Sequence, residues 1–239
     1  LRFPVRWVLG DVANQRWAEV DPVTGSATLL DAMPQPEGWS NSTLRPFATT
    51  HTVPSCGWMI QQHAMAGKFD RQRADDLNLS TKERAMLARG EDVTTADGTT
   101  LESAWFRGGE RAPVSVLVSG DTAAMPPAWT DEVRPTLLIH EATFLDEQQD
   151  KADEHLHSTA TGAVASALAV GAESLALTHY SNRIKSTEEP VSEAKSAGEA
   201  LPVVALNDND RMVVDDEGRV HHLSWTETGW ASLNIKPNR

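Results

Sequence analysis

Short apolar runs that end on polar residues mark the C-terminal half of the chain. Val114–Val118 is the first of these runs, Thr136–Ile139 is the second and Ser174–Thr178 is the third. Runs of this length between polar or glycine residues are typical of buried β-strands. The pattern therefore predicts three strands in this half.

A helix is predicted between the second and third of these strands. Thr159–Val170 reads "TATGAVASALAV", with Ser158 as the expected N-cap and Gly171 as the expected stop. A strand, helix, strand order predicts an α/β fold in which helices pack against a sheet. The polar, acidic segment 186–202 predicts a loop and a short helix.

The rest of the chain has a weaker pattern. The segments "RFPVRWVLG", "RWAEVDP" and "SATLLDAM" within residues 1–50 predict short strands, separated by turn-forming residues such as Asp21-Pro22 and Gly25. Residues 61–90 carry six basic and four acidic side chains. By charge alone this stretch predicts a solvated helix of mixed charge.

Composition limits the class of protein. With 239 residues and 40% hydrophobic content, the chain can bury a core of one domain. The sequence contains no run of 18 apolar residues, so it predicts no membrane-spanning helix. A single cysteine, Cys56, excludes an internal disulfide and favours the cytoplasm. The net charge of -13 argues against binding nucleic acid through broad electrostatics.

Residues of metal-binding type follow the predicted strands. Asp121, Glu141 and His179 each lie at a strand end, and His157 precedes the predicted helix. Taken singly, each has a simpler interpretation. Asp121 could be a turn residue and Glu141 a surface acid. His179 could be a buried imidazole, and His157 could be only the residue that leads into the helix. Ligand sites in α/β folds lie at the carboxyl ends of strands, so the combination predicts a functional site.

Five ordered motifs give the chain a family resemblance. They are "HTVPSCGWMI", "SGDT", "LLIHEATF", "HLHSTATGAVASA" and "LALTHYSNR". Together they resemble ribonuclease Z, the tRNA 3′-processing endonuclease of the metallo-β-lactamase fold, over roughly residues 45–214. "GKFDRQRADDLNL" and "LARGEDVTTADGTTL" resemble the arm of that family and the strand pair after it. The resemblance implies an αββα sandwich, with 1–239 as a single domain and 61–90 as a tRNA-binding arm.

The resemblance also implies a two-zinc centre. His51 would bind one zinc ion, Asp121 would bridge the two ions, and His179 would bind the second. Zinc accepts imidazole nitrogen and carboxylate oxygen, and two metal ions activate water for attack on a phosphodiester. His157 with Glu141 resembles the proton-donor pair of the family, since the leaving oxygen needs a proton.

The implied partners are precursor tRNA and a second copy of the chain in a homodimer. Ser181 and Arg183 resemble the end of the last metal motif, where they would bind a substrate phosphate. A loop held by local hydrogen bonds is the alternative for these two residues. The arm residues implied to contact tRNA are Arg71, Arg73, Lys82 and Arg84.

Two departures from the family pattern affect this interpretation. The motif His-x-His-x-Asp-His does not occur in the 239 residues. Either an upstream segment carries it, which the start without Met favours, or the chain is a degenerate copy. In either case the 239 residues alone are expected to cleave RNA poorly. The arm shows Leu79-Ser80-Thr81 where the family has Gly-Pro after the Asn-Leu pair, so its tRNA-binding end is expected to be altered.

Three functions remain open at this point. The first is a zinc-dependent tRNA 3′-endonuclease. The second is another hydrolase of the same fold, such as an arylsulfatase or a phosphodiesterase, which would not need a basic arm. The third is a non-catalytic domain that supports an active partner, which would not need zinc.

Overall fold

The computed structural model describes residues 5–233. Contacts divide the chain into two compact units: the first contains the residues up to Gln62 and those from Val114 onward, and the second is His63–Pro113. The helices and strands, in chain order, are β1 Trp7–Asp11, β2 Arg16–Val20, β3 Ala27–Leu30, β4 Ser42–Ala48, β5 Cys56–Gln62, α1 Arg71–Asp76, α2 Thr81–Ala88, β6 Val93–Thr94, β7 Thr100–Leu101, β8 Ser115–Val118, β9 Leu137–Glu141, α3 Gln149–His155, α4 Ala160–Ala169, β10 Leu175–Thr178, α5 Glu188–Ala197, β11 Val203–Ala205, β12 Arg211–Val214, β13 Val220–Thr226 and β14 Gly229–Leu233.

A six-stranded mixed sheet forms the centre of the first unit. Its strand order is β11-β10-β9-β8-β5-β4, and the pairs from β8 to β11 are parallel. Strand β5 is antiparallel to both β8 and β4, so β4 runs in the same direction as β8. The carboxyl ends of β4, β8, β9, β10 and β11 therefore meet at one edge of the sheet, which we call the site edge.

The core lies on one face of this sheet, under α4 and α5. Met59, Leu117, Leu138 and Leu177 point from the strands into a cluster of buried apolar residues that also contains Val164 of α4. Burial of such side chains contributes about 1.5–3 kcal/mol each. The α/β class predicted from the sequence is confirmed.

The predicted C-terminal strands and helix are confirmed to within one or two residues, but the cap differs. Thr159, and not Ser158, caps α4, because its hydroxyl accepts the Gly162 amide at 3.1 Å. The Ser158 hydroxyl instead donates to the Thr122 carbonyl at 3.0 Å. Gly171 follows α4 with φ +64, the left-handed conformation that ends many helices.

Two small antiparallel sheets complete the first unit. The three N-terminal strands predicted from the sequence form the sheet β1-β2-β3; residues 2–4 of the first predicted segment lie outside the described residues. Strands β12, β13 and β14 form the other sheet, which the sequence pattern did not predict. Between residues 5 and 233, no helix combines the length and the apolar character needed to cross a membrane.

The second unit contains two short helices instead of the single mixed-charge helix predicted for 61–90. Asn78 has φ +51 and breaks the helical path, and Ser80 and Glu83 form a capping box that starts α2. Leu87 and Phe106 belong to a separate buried cluster of this unit. The predicted strand pair after the arm is present as β6 and β7, with Gly98 in its turn at φ +86.

Candidate functional site

Loops that leave the site edge bring the predicted polar residues together. His51 follows β4, Asp121 follows β8 and His179 follows β10, while Glu141 is the last residue of β9. The first two of these loops are tied to each other by the hydrogen bond from the Ala123 amide to the Thr50 carbonyl, at 2.8 Å. Parallel strand direction therefore explains why residues far apart in sequence share one site.

Unusual backbone conformations position two of these loops. Gly120 has φ +64, and a Cβ atom at this position would lie 2.9 Å from the Cys56 carbonyl oxygen. His179 also adopts a left-handed conformation, with φ +54. Such a conformation costs a non-glycine residue roughly 1–3 kcal/mol and is found where the surrounding structure holds it in place.

Glu141 is a buried anchor for the loops around it. Its side chain is 1% exposed. Oε1 accepts the Thr122 amide at 2.8 Å and His157 Nδ1 at 2.6 Å. Oε2 accepts the Thr143 hydroxyl at 2.5 Å and the Ser158 amide at 3.1 Å. With both oxygens engaged in this way, the carboxylate orients its neighbours and has little capacity left to bind a metal ion.

His157 lies at the centre of the site. Because Glu141 can only accept, Nδ1 of His157 donates and its other ring nitrogen, Nε2, remains for another partner. The His157 ring stacks on His179 with centroids 5.6 Å apart and meets His51 edge-on at 4.7 Å. An imidazole oriented by a carboxylate is suited to proton transfer or to metal binding.

The side chains form two overlapping groups of metal-ligand type. One contains His51, Asp121 and His157, and the other contains Glu141, His157 and His179; within each group the ligand atoms lie within 4.8 Å of one another. The predicted ligands His51, Asp121 and His179 are thus brought together around His157, for which the family resemblance implies proton donation.

The hydrogen bonds of these side chains fit a bound cation. His51 Nδ1 lies 3.1 Å from the Leu156 carbonyl oxygen and must donate to it, which leaves the Nε2 lone pair unused. His179 Nε2 lies 3.5 Å from Asp121 Oδ1. Imidazole lone pairs and a carboxylate oxygen at this separation form the donor set that zinc prefers.

The remaining predicted residues lie at the rim or in the second unit. The Ser181 amide donates to the Thr143 carbonyl at 3.1 Å, and the Ser181 hydroxyl accepts the Arg183 amide at 3.4 Å. Arg183 is exposed. In the second unit, Arg71, Arg73 and Lys82 are exposed, and the Arg73 guanidinium lies 5.5 Å from the centre of the Phe106 ring.

Arg84 is held by its own unit. Its Nε donates to the Leu79 carbonyl at 2.6 Å, Nη2 donates to the Ala74 carbonyl at 3.3 Å, and Nη1 forms an ion pair with Asp75. These contacts join the end of α1 to the start of α2. They give Arg84 a structural task that its charge in the sequence did not indicate.

A cavity of about 500 Å³ opens beside the site edge. Asp121, His179 and Tyr180 line it together with Asn207 and Asp208, which sequence reasoning did not select. Burial raises the pKa of the Tyr180 hydroxyl, which donates to the Leu177 carbonyl at 2.6 Å. Asn207 and Asp208 follow β11, so the rule that sites form at strand ends could have found them.

Two other titratable residues near the site, His140 and Cys56, have environments that suit a structural role. His140 is fully buried, and burial lowers its pKa. Its Nδ1 donates to the Glu141 carbonyl at 2.8 Å, and its ring meets Trp129 edge-on at 5.7 Å. Burial also raises the pKa of the Cys56 thiol, which makes it a poor nucleophile.

Comparison with known proteins confirms the family resemblance. The chain is 38% identical over 142 residues to ribonuclease Z of Synechococcus sp. strain CC9605, covering 59% of this chain and 44% of that protein. It is 35% identical over 173 residues to ribonuclease Z of Natronomonas pharaonis, covering 72% of this chain and 56% of that protein. The chain thus spans about half the length of the curated relatives it matches.

A solved structure also aligns with the chain, at lower sequence identity than these relatives. The metallo-β-lactamase fold protein YhfI from Bacillus subtilis aligns with a TM-score of 0.44 and 17% identity, covering 72% of this chain and 50% of that chain. No family model matches the chain.

Proposed function

We propose that this chain, as a sequence relative of ribonuclease Z, acts as a zinc-dependent endoribonuclease that removes the 3′ trailer of precursor tRNA. The observation that supports this most strongly is the site edge itself. There, His157 is hydrogen-bonded to buried Glu141 and stands between His51 and His179, with Asp121 beside them. This arrangement combines ligands for a metal with a group that can move a proton.

His51, Asp121 and His179 are the residues that would hold zinc in this proposal. The two imidazoles use Nδ1 for hydrogen bonds within the protein and present Nε2 to the site, and Asp121 supplies the negative charge. When bound, zinc supplies an activated water and stabilises the charge that develops on the phosphate. The chain contributes the fixed geometry of these three side chains.

His157 would deliver a proton to the leaving oxygen from Nε2. Glu141 keeps the ring oriented through its hydrogen bond with Nδ1, so that Nε2 faces the site. The side chain of His157 is 16% exposed, so a substrate atom can reach it while most water is excluded. This division makes Glu141 a positioning residue and His157 the group in contact with the substrate.

The remaining parts of the proposal concern the substrate and the assembly. Ser181 and exposed Arg183 would bind a phosphate close to the cleaved bond. Residues 61–90, most of which lie in the second unit, would form the tRNA-binding arm, with Arg71, Arg73 and Lys82 facing backbone phosphates. The family resemblance supports a homodimer, and the single cysteine supports a cytoplasmic location.

The test is cleavage of precursor tRNA with a 3′ trailer by the protein as its gene encodes it, with and without added zinc. We expect zinc-dependent cleavage at the trailer. Asp121→Ala should lose both zinc and activity, because it removes the anionic ligand. His157→Ala should slow cleavage by about 10² to 10⁴ while most of the zinc is retained, as is typical when general acid help is lost.

Zinc content, measured beside the rates, separates the alternatives. Activity on small phosphodiesters or aryl sulfates without tRNA cleavage would identify another hydrolase of the same fold. A wild-type protein without zinc and without activity would identify a non-catalytic domain. Loss of zinc in His157→Ala would make His157 a ligand and overturn its assignment as the proton donor.

A further inference from the structure

The hydroxyl of Thr143 lies at the junction of the site. Its Oγ1 is 2.5 Å from Glu141 Oε2, 2.9 Å from His179 Nδ1 and 3.3 Å from His157 Nδ1. Thr143 thus touches the buried carboxylate, the central imidazole and a proposed zinc ligand with one atom. No pattern in the sequence singles it out, since Thr143 lies in a loop after β9.

The direction of these hydrogen bonds follows from counting protons. A hydroxyl has one proton to donate and two lone pairs to accept. The contact with Glu141 is the shortest, and an ionised carboxylate is the strongest acceptor nearby, so the proton goes to Glu141. The His179 carbonyl, at 3.1 Å, is the weaker acceptor for the same proton.

With its proton committed to Glu141, Thr143 can only accept from the ring of His179. The imidazole must therefore carry its hydrogen on Nδ1, and its Nε2 is left with a lone pair. That lone pair faces Asp121 Oδ1 at 3.5 Å. The neighbouring carboxylate would otherwise draw the hydrogen to Nε2, where the ring could donate to it.

We infer that Thr143 is a positioning residue that fixes the tautomer of His179 and so keeps both His179 Nε2 and Asp121 free to bind a cation. Buried Glu141 orders this arrangement from behind, because it accepts from Thr143 and from His157 at once. The same carboxylate therefore prepares a zinc ligand and a proton donor. The consequence for catalysis rests on the proposed function, but the hydrogen-bond assignment does not.

The experiment compares Thr143→Val, which keeps the shape and removes the hydroxyl, with Thr143→Ser, which keeps the hydroxyl. The first measurement is the ¹⁵N chemical shifts of the His179 ring in metal-free protein at about pH 9, where an ordinary imidazole is neutral. We expect the Nδ1–H tautomer in the wild type and in Thr143→Ser. In Thr143→Val the hydrogen should move to Nε2, beside Asp121.

The second measurement is the affinity for zinc alone. Loss of a group that orients a metal-bound histidine typically weakens metal binding about 10- to 100-fold, and we expect this for Thr143→Val but not for Thr143→Ser. Thr161→Val is the matched control, because it removes a hydroxyl that donates to Asp146 at 2.6 Å. It should change neither the tautomer nor the affinity.

The outcomes separate this inference from the proposed function, because neither measurement uses RNA. An unchanged His179 tautomer in Thr143→Val would overturn the inference, even if that variant were less stable. If Thr143→Val does not fold, an Nε2–H tautomer in the wild type or in Thr143→Ser would overturn it equally well. The expected tautomers and affinities in a protein that never cleaves RNA would sustain the inference and reject the nuclease.

Discussion

At the scale of single residues, Arg84 is held by three contacts within the second unit. Arg71, Lys82 and Arg84 look equivalent in the sequence of the arm, and all three are candidates for binding a phosphate. In the structure, Arg84 donates to the Leu79 and Ala74 carbonyls and pairs with Asp75, whereas Arg71 and Lys82 are exposed. Arg84 is therefore expected to stabilise the second unit, whereas Arg71 and Lys82 are free to meet a ligand.

This difference predicts distinct effects on stability. Arg84→Met should destabilise the second unit by about 1–3 kcal/mol, because two carbonyls lose a charged donor. Lys82→Met should change stability by less than about 0.5 kcal/mol, as is usual for exposed positions. Amide hydrogen exchange in α2 measures both effects. Equal protection in the two variants would show that the Arg84 contacts contribute nothing measurable.

At the scale of elements, the buried carboxylate of Asp210 forms hydrogen bonds with side chains of the C-terminal sheet, much as Glu141 does with the loops of the site. Asp210 accepts His222 Nε2 at 2.7 Å and the Ser224 hydroxyl at 2.6 Å, and both side chains come from β13. Burial acts to raise the pKa of Asp210, but hydrogen bonds from Ser224, the Asn207 amide and His222 outweigh it and hold the pKa below its ordinary value of 3.8.

The lowered pKa of Asp210 predicts a pH dependence of stability. A carboxyl group of this kind stabilises the fold above its unfolded pKa, and the contribution is lost as pH falls through the lower folded pKa. Asp210→Asn should therefore lower the thermal midpoint at neutral pH, and its difference from wild type should shrink below about pH 4. Circular dichroism at both pH values measures this.

Glu227→Gln is the matched control for that experiment, since Glu227 is an exposed carboxylate in the turn between β13 and β14. It should leave the midpoint close to that of wild type at either pH. The thermal midpoint of Asp210→Asn could instead stay below that of wild type by the same amount from neutral to acid pH. That result would contradict a role for the ionised carboxylate.

At the scale of the whole molecule, the proposed function assigns RNA binding to the second unit and catalysis to the first. The chain has a net charge of -13, so an RNA partner would need a local basic surface. The arm proposal assigns that surface to residues 61–90. Because Arg84 is engaged within the unit and Arg73 covers Phe106, exposed Arg71 and Lys82 are the best residues for its test.

Replacing Arg71 and Lys82 together by glutamine should weaken binding of precursor tRNA and reduce its salt dependence by up to about two in slope, one for each lost phosphate contact. Hydrolysis of a small phosphodiester should stay unchanged. The control replaces exposed Lys151 and Lys195, which removes the same charge from the first unit. Equal losses in both double variants would show a general charge effect and reject the arm.

The sequence by itself determined three strands and the main helix of the first unit, and the types of polar residue that follow those strands. Apolar runs and their polar ends depend on neighbours along the chain, so β8, β9, α4 and β10 could be predicted closely. The order of the motifs also indicated the resemblance to ribonuclease Z, which the sequence relatives confirm. The same motifs contain the five polar residues that the structure brings together at the site edge: His51, Asp121, Glu141, His157 and His179.

Only the tertiary structure decided which of those residues contact one another. It placed His157 in both ligand groups, engaged both oxygens of Glu141, and put the Thr143 hydroxyl between Glu141 and His179. It also capped α4 with Thr159, because the Ser158 hydroxyl donates to a carbonyl 36 positions away. Hydrogen-bond partners depend on which loops meet at a sheet edge, and no local pattern of polar and apolar residues encodes that meeting.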